Sequence, residues 1–160
     1  MNLFFRMIYV FLSSYFKERL PAGASDSVLK LRVFPNDLDI NLHVNNGRYL
    51  TLCDLSRIDL FVRTGLAKVM IKKGWIPIVA EHTMTYRKPL KLFQCFELRL
   101  SLTHWDDKFF YMTHTFSRNG AIVAEGTSKG TVRARSGVVP PAGVIEAVKA
   151  SRSSNGLNRA

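Results

Sequence analysis

Hydrophobic positions recur with two different periods along the chain, and the change of period separates strands from helices. Residues 28–33 alternate between apolar and polar and predict a first strand. From 47 to 64, apolar residues cover most of a helical circumference, which predicts a helix that is buried on nearly all sides. Asn45 or Asn46 can cap its start, and Gly65 is placed to end it.

The second half of the chain predicts an antiparallel sheet. Long runs of strand character lie at 76–86, 93–103, 108–118 and 121–135. The dipeptide Asn119-Gly120 is a strong two-residue hairpin signal between the last two. A strand, a buried helix and four long strands together predict an α+β fold in which a sheet wraps around one helix.

Small residues fill one face of the last predicted strand, and we expect them to leave room for a helix lying close against the sheet. That face comprises Ile122, Ala124, Gly126, Ser128, Gly130, Val132 and Ala134. Within the predicted helix, Asp59 and Arg63 have the spacing of an exposed i,i+4 ion pair, and Asp54 and Arg57 that of an i,i+3 pair.

The chain divides into an apolar helix and linker at 1–24, a central domain at 25–136, and a short helix near 143–150 with a disordered tail, within 137–160. The apolar run at 1–16 is shorter than the roughly 20 residues that a membrane span needs. Two interpretations stay open: a helix packed on its own domain or dimer, or an interfacial helix with Arg6, Lys17 and Arg19 among lipid headgroups. The small residues at 22–24 also leave a signal peptide as an alternative.

A net charge of +11 favours anionic partners, but the basic residues are scattered and do not form the basic helix typical of nucleic-acid binding. Cys53 and Cys95 lack metal-type spacing, so we expect two small buried hydrophobes in a reducing compartment rather than a zinc site or disulfide. His82, His104 and His114 show no constellation of partners, and His114 is expected to be a core histidine.

The segment at 36–50 is the most informative one. It places Asp39, Asn41, His43 and the pair Asn45-Asn46 directly before the predicted helix. These residues resemble the Asp-x-Asn-x-His-x-Asn-Asn signature of the hotdog-fold acyl thioesterases, and Tyr-x-x-Pro-Leu at 86–90 resembles a junction of the same family. The resemblance covers roughly 27–135 and implies the hotdog fold.

The resemblance implies roles for single residues. Asp39 would be the general base or nucleophile, Asn41 would orient water or the thioester oxygen, and His43 would assist proton transfer or fix the aspartate. The helix start would polarise the carbonyl, which a helix dipole and free amides can do. The substrate-binding residues expected from this arrangement are Asn46, Gly47, Tyr49 and Arg87.

Structural roles are the alternative for the same residues. Asp37 or Asp39 can cap loop amides, His43 can be a structural hydrogen-bonding residue, and Asn45 and Asn46 can serve as caps and turn residues. The extra downstream glutamate of some plant members has only positional candidates here, in Glu81 and Glu97.

The expected function is hydrolysis of an acyl-CoA or acyl-carrier-protein thioester, with no metal and no redox cofactor. A non-catalytic, membrane-associated acyl- or CoA-binding protein is the alternative, and a hotdog dehydratase is a third. We further expect a homodimer in which the Asp39 loop meets the partner's strand at 78–86. The expected location is cytoplasmic, or peripheral at the inner face of a membrane, without a nucleic-acid partner.

Overall fold

Ten helices and strands make up the described chain. The structure, a computed structural model, describes residues 3–23 and 26–157, with side chains to residue 154. In chain order the elements are α1 (Leu3–Phe16), β1 (Asp26–Arg32), α2 (Asn46–Thr64), α3 (Leu66–Lys73), β2 (Ile76–Tyr86), β3 (Cys95–Trp105), β4 (Phe110–Arg118), β5 (Ala121–Ala134), β6 (Gly137–Val139) and α4 (Pro141–Leu157).

The strands form one antiparallel sheet in the order β1-β3-β4-β5-β2, with β6 also paired to β5. The long helix α2 packs against this sheet, and its buried residues meet the inward faces of the strands. The central members of that core are Leu52, Cys53, Leu55, Leu98 and Phe116. The α+β architecture expected from the sequence is confirmed.

Local sequence signals set the helix ends and the hairpin. The Asn45 side chain accepts a hydrogen bond from the Gly47 amide at 2.9 Å, so Asn45 is the N-cap of α2. Gly65 ends the helix in the left-handed conformation that glycine adopts without strain. Asn119 and Gly120 both have positive φ, as the predicted two-residue hairpin requires.

The small residues of β5 have a different cause from the one expected. A Cβ atom on Gly126 would lie 2.1 Å from the backbone oxygen of Thr83 on β2, so the neighbouring strand, not the helix, excludes a side chain there. At Gly130, a Cβ would meet Met112 first, at 3.2 Å. Ile122 is exposed rather than on the buried face, because the register between β4 and β5 shifts next to it.

Helix α1 is polar on the side that faces the domain and apolar on the side that faces solvent. Its buried residues are Arg6, Val10 and Ser14, one turn apart. Its exposed residues are large and hydrophobic: Phe4, Phe5, Met7, Ile8, Tyr9, Phe11, Leu12, Tyr15 and Phe16. Ordinary surface helices have the opposite arrangement. Because Arg6 is buried, its expected contact with lipid headgroups is wrong.

Asp59 holds α1 against α2. Its predicted ion pair with Arg63 is confirmed, but the prediction that this pair is exposed is wrong. Its carboxylate is fully buried and accepts hydrogen bonds from Ser14 and Ser27, both at 2.6 Å. Lys17 at 2.7 Å and Arg63 at 3.2 Å complete the cluster. Burial alone would raise the pKa of Asp59, but the hydrogen bonds, led by that from Lys17, hold this pKa below its usual range.

Three further features differ from expectation. Residues 66–73 form α3, which the sequence analysis did not predict, and α4 extends to Leu157 where a disordered tail was expected. Cys95 is exposed rather than buried. The last three residues of the expected tail lie outside the described part of the chain. Among the described residues, no helix is long and apolar enough to cross a membrane.

Candidate active site

The loop between β1 and α2 is anchored at its first carboxylate. Asp37 is buried, and its two oxygens lie 2.7 Å from Nη1 of Arg6 and 2.8 Å from Nε of Arg48. It also accepts the Phe34 amide at 2.9 Å. Two charge-assisted pairs and a backbone contact leave this carboxylate fully engaged, so Asp37 fixes the loop and is closed to a substrate.

The second carboxylate of the loop is more open. Asp39 is half-buried, and its Oδ1 accepts the Asn41 amide at 2.8 Å. Its Oδ2 accepts no hydrogen bond from the part of the chain that the structure describes. The loop closes tightly behind it, since the Asp39 amide donates to the His43 carbonyl at 2.9 Å and Leu42 has a φ of 57°. Both aspartates therefore bond loop amides, but only Asp39 keeps a free carboxylate oxygen.

The structure brings Asp39, Asn41 and His43 into one loop without bonding their side chains to one another. Asn41 is exposed. His43 is half-buried, and its backbone bridges to Lys91. Their expected catalytic roles stay predictions.

The start of α2 lies directly after this loop. Asn46 and Gly47 are exposed, and the Asn46 carbonyl accepts a hydrogen bond from the Tyr86 hydroxyl at 2.9 Å. The Gly47 amide donates to the capping side chain of Asn45, whereas the Asn46 amide has no acceptor among the described residues. An unpaired amide at the positive end of a helix dipole suits a developing oxyanion.

The other two expected substrate-binding residues are placed differently. Tyr49 is buried, its ring in edge contact with Tyr86 and Phe116 at centroid distances of 5.1 and 5.0 Å, and burial raises its pKa. Arg87 pairs with Glu125 on the exposed surface. Binding of substrate by either residue stays a prediction.

A buried polar cluster lies further along α2, and the sequence analysis missed it. Three atoms that could bind a metal lie within 4.8 Å of one another: the sulfur of Cys53 and one ring nitrogen each of His82 and His114. Nε2 of His114 lies 2.8 Å from the Ser128 hydroxyl and 3.3 Å from Nη2 of Arg57. These residues are far apart in sequence, and only the pairing of β2, β4 and β5 beneath α2 brings them together.

The cluster strongly perturbs its titratable groups. Burial raises the pKa of the Cys53 thiol to about 12. Burial and then the Arg57 charge lower the pKa of His114 to about 3, and the pKa of His82 is lowered by the same two causes. Both imidazoles are therefore neutral at physiological pH. The predicted pair of Arg57 with Asp54 is confirmed at 2.5 Å.

An apolar cavity of about 90 Å³ begins beside Arg57 and extends between α2, the sheet and α4. Its lining includes Leu60, Phe61, Met112 and Val148. The aromatic residues Phe61 and Phe110 also line this cavity. Phe116 lies in the core, and Trp75 borders a separate surface groove.

An antiparallel sheet packed on one long helix, with a polar loop leading into that helix, defines the hotdog fold. A family model described as the thioesterase-like superfamily matches residues 33–145, and the chain belongs to this superfamily. Among solved structures, the probable thioesterase YbaW from Escherichia coli has a TM-score of 0.69 at 19% identity, covering 76% of this chain and 94% of that one. DHNA-CoA thioesterase from Staphylococcus aureus has a TM-score of 0.68 at 15% identity, covering 83% and 95%.

Curated relatives include Protein THEM6 of two vertebrates. The Xenopus laevis protein is 43% identical over 84 residues, which are 52% of this chain and 41% of the relative. The Danio rerio protein is 34% identical over 113 residues, or 71% of this chain and 56% of the relative. The chain thus spans about half the length of these relatives.

Proposed function

We propose that this protein hydrolyses an acyl-CoA thioester, with Asp39 as general base or nucleophile. The observation that carries the proposal is the contrast between two neighbouring carboxylates. Asp37 is buried, and both of its oxygens are paired with Arg6 and Arg48. Asp39, on the loop that leads into α2, is half-buried and has one oxygen without a hydrogen-bond partner among the described residues. Thioester hydrolysis needs such a reactive carboxylate beside a donor for the carbonyl oxygen.

The start of α2 supplies the donor in this proposal. The thioester oxygen would meet the Asn46 amide and the positive end of the helix dipole, and Gly47 keeps the approach free of a side chain. Asn41 would orient the attacking water, and His43 would accept or return a proton through a ring nitrogen. Arg87 would contact the coenzyme.

The apolar cavity supports an acyl substrate, because it offers an alkyl chain burial between α2 and α4 away from water. Coenzyme A is favoured as the carrier over acyl-carrier protein. The Staphylococcus aureus structure that shares the fold is named for a CoA thioester, and the net charge of +11 suits a polyphosphorylated ligand.

A homodimer is the proposed working unit. Strand β2 is an 11-residue edge strand that pairs only with β5 among the described strands, and nearly all of its residues are exposed. Long apolar edge strands are normally covered. Ile40 and Leu42 on the Asp39 loop are 97% and 70% exposed, so a second copy placed against β2 and this loop would bury both.

The outer face of α1 is proposed to lie on an anionic membrane. Its aromatic and aliphatic side chains continue into an apolar groove formed with α3 and the start of β2. Arg19, Lys72 and Lys73 are exposed near the ends of these two helices. An apolar surface bordered by cations matches the chemistry of an anionic bilayer surface.

Activity is tested with Asp39→Asn, and Asp26→Asn, which alters a half-exposed carboxylate on β1, is the control. A panel of acyl-CoAs and the matching acyl-carrier proteins is incubated with each protein, and free thiol release is followed. We expect Asp39→Asn to lose turnover by at least about 100-fold, the lower range for general acid–base catalysis, while its melting temperature stays close to wild type.

Equal turnover in wild type and Asp39→Asn would overturn the assigned role. Bound acyl-CoA without turnover in the folded wild type would instead indicate a non-catalytic binding protein. Faster release from acyl-carrier protein than from CoA would contradict the choice of carrier.

The dimer is tested by light scattering at micromolar concentration. We expect a dimer in wild type and a monomer in Val79→Lys, because Val79 is an exposed residue of β2. Ile122→Lys, exposed to the same degree on β5, is the control and should stay dimeric. A wild-type monomer with full activity would contradict the proposal.

Membrane binding is tested with Phe5→Ser, Leu12→Ser and Phe16→Ser combined, which alter only the outer face of α1 and keep Arg6, Val10 and Ser14. We expect wild type to sediment with anionic vesicles at low salt and less at high salt, and the triple variant to stay in the supernatant. Phe93→Ser, exposed elsewhere, is the control. Equal sedimentation of wild type and triple variant would refute this surface.

A further inference from the structure

Two histidines beneath α2 each have one buried ring nitrogen without a hydrogen-bond partner among the described residues. Nε2 of His82 and Nδ1 of His114 are both buried without a partner in the described part of the chain, and His114 is fully buried. Leaving a buried polar atom unpaired costs about 1–3 kcal/mol, so such atoms call for an explanation. Cys53, also buried, completes the group of three ligand residues within 4.8 Å of one another.

We propose that Cys53, His82 and His114 bind a zinc ion, which ties α2 to β2 and β4. When the ion binds, the Cys53 thiol releases its proton to solvent. The resulting thiolate with two neutral imidazoles is a donor set that Zn²⁺ prefers over the harder divalent cations. The three ligands come from three different elements, so the ion would cross-link the helix to the sheet. Cys53 and His114 are fully buried and His82 is half-buried, so the ion would be largely shielded from solvent.

The distances fit with a small closing movement. Zinc bonds of about 2.3 Å to sulfur and 2.0–2.1 Å to nitrogen place tetrahedral ligand atoms about 3.5 Å apart. The ligand atoms here lie within 4.8 Å, so the side chains close by roughly 1 Å on binding, judged against that same geometry. Three protein ligands leave a fourth position of the tetrahedron for a water molecule.

The surroundings of His114 suit a ligating imidazole. When Nδ1 binds the metal, Nε2 carries the proton and donates to the Ser128 hydroxyl, now 2.8 Å away. Ligating histidines usually donate their second ring nitrogen in this way. Arg57 is the opposing feature, because its positive charge lies 3.3 Å from the same nitrogen. The Asp54 carboxylate, 2.5 Å from Arg57, and the Cys53 thiolate offset that charge.

The test uses the full chain, freed of metal with a chelator and titrated with Co²⁺ and then Zn²⁺. We expect one equivalent of Co²⁺ to give a cobalt–thiolate absorption band, which Zn²⁺ then abolishes. Cys53→Ser and His114→Ala should lose the band, and Ser128→Ala should weaken binding by about 10–100-fold. The matched controls, Cys95→Ser and His104→Ala, alter the exposed cysteine and an exposed histidine and should keep the band.

A second readout does not depend on variants that fold. Zn²⁺ should raise the melting temperature of the metal-free wild type, because an ion that binds only the folded state stabilises it, and Mg²⁺ should leave it unchanged. Absence of the cobalt–thiolate band in folded wild type would overturn the proposal. A band that persists in Cys53→Ser, or a melting temperature of the metal-free wild type unchanged by Zn²⁺, would do the same.

Discussion

The buried carboxylate of Asp59 gives the sharpest prediction about stability. Asp59→Asn keeps the volume but removes the charge that Ser14, Ser27, Lys17 and Arg63 share. Hydrogen bonds to a charged group contribute about 1.5–3 kcal/mol each. Lys17 is 35% exposed and regains hydration in the variant, so its ion pair contributes less than a buried one. We therefore expect the free energy of unfolding to fall by about 2–4 kcal/mol in total.

Thermal unfolding followed by circular dichroism measures this loss. For a chain of this size, each kcal/mol lowers the melting temperature by about 2–4 °C, which gives a decrease of roughly 5–15 °C. Asp26→Asn is the control, because its carboxylate lies 3.7 Å from Arg99 and both side chains are half exposed. A loss below about 1 kcal/mol is expected there.

The pH dependence supplies a second check on the same residue. Because the folded pKa of Asp59 is held below its usual range, its stabilisation is fully present above about pH 4, the unfolded value. It is lost as the pH falls through the lower folded pKa. The difference in stability between wild type and Asp59→Asn should therefore shrink in acid. Equal melting temperatures at pH 7, or a difference independent of pH, would refute the assignment.

Three further predictions follow from buried contacts. Asp37→Asn should destabilise by about 3–5 kcal/mol in urea unfolding, because it leaves Arg6 buried without its partner; an unchanged midpoint would contradict this. Gly126→Ala should lower the melting temperature and perturb β2, since the new Cβ meets the Thr83 backbone oxygen. A melting temperature equal to that of wild type would show that β2 can move away at no cost in stability. In the metal-free protein the folded pKa of His114 is about 3, so the stability that the neutral imidazole contributes is lost as the pH falls from about 6.5, the unfolded value, toward 3. His114→Gln should flatten that slope between pH 6.5 and 4.5, and an identical slope would count against a buried neutral imidazole.

Periodicity in the sequence was sufficient to predict the elements that form the sheet and its central helix. Strand β2 occupies 76–86 as predicted, and the cap at Asn45, the stop at Gly65 and the turn at Asn119 follow local chemistry. These signals lie within a few residues of the structure they specify, which is why reading the chain segment by segment recovers them.

Contacts between distant residues could not be predicted in this way. The spacing of Asp59 and Arg63 indicates a surface ion pair, but a helix more than 40 positions earlier covers that face and buries the carboxylate. His82 and His114 have no partners in their own segments and meet Cys53 only through strand pairing. In the loop, the resemblance to the family signature selected Asp39 as the candidate. The sequence alone does not show that the Asp37 carboxylate is fully hydrogen-bonded whereas Asp39 keeps one oxygen without a partner among the described residues.

The inverted polarity of α1 also determines how its attachment responds to temperature. The helix is held by Arg6 on Asp37 and by Ser14 on Asp59, with Val10 as its one fully buried apolar side chain. Exposing apolar surface raises the heat capacity, whereas exposing polar surface lowers it. Detaching α1 therefore carries a small heat-capacity change, so the strength of its attachment varies little between cold and warm conditions, unlike that of the apolar core beneath it.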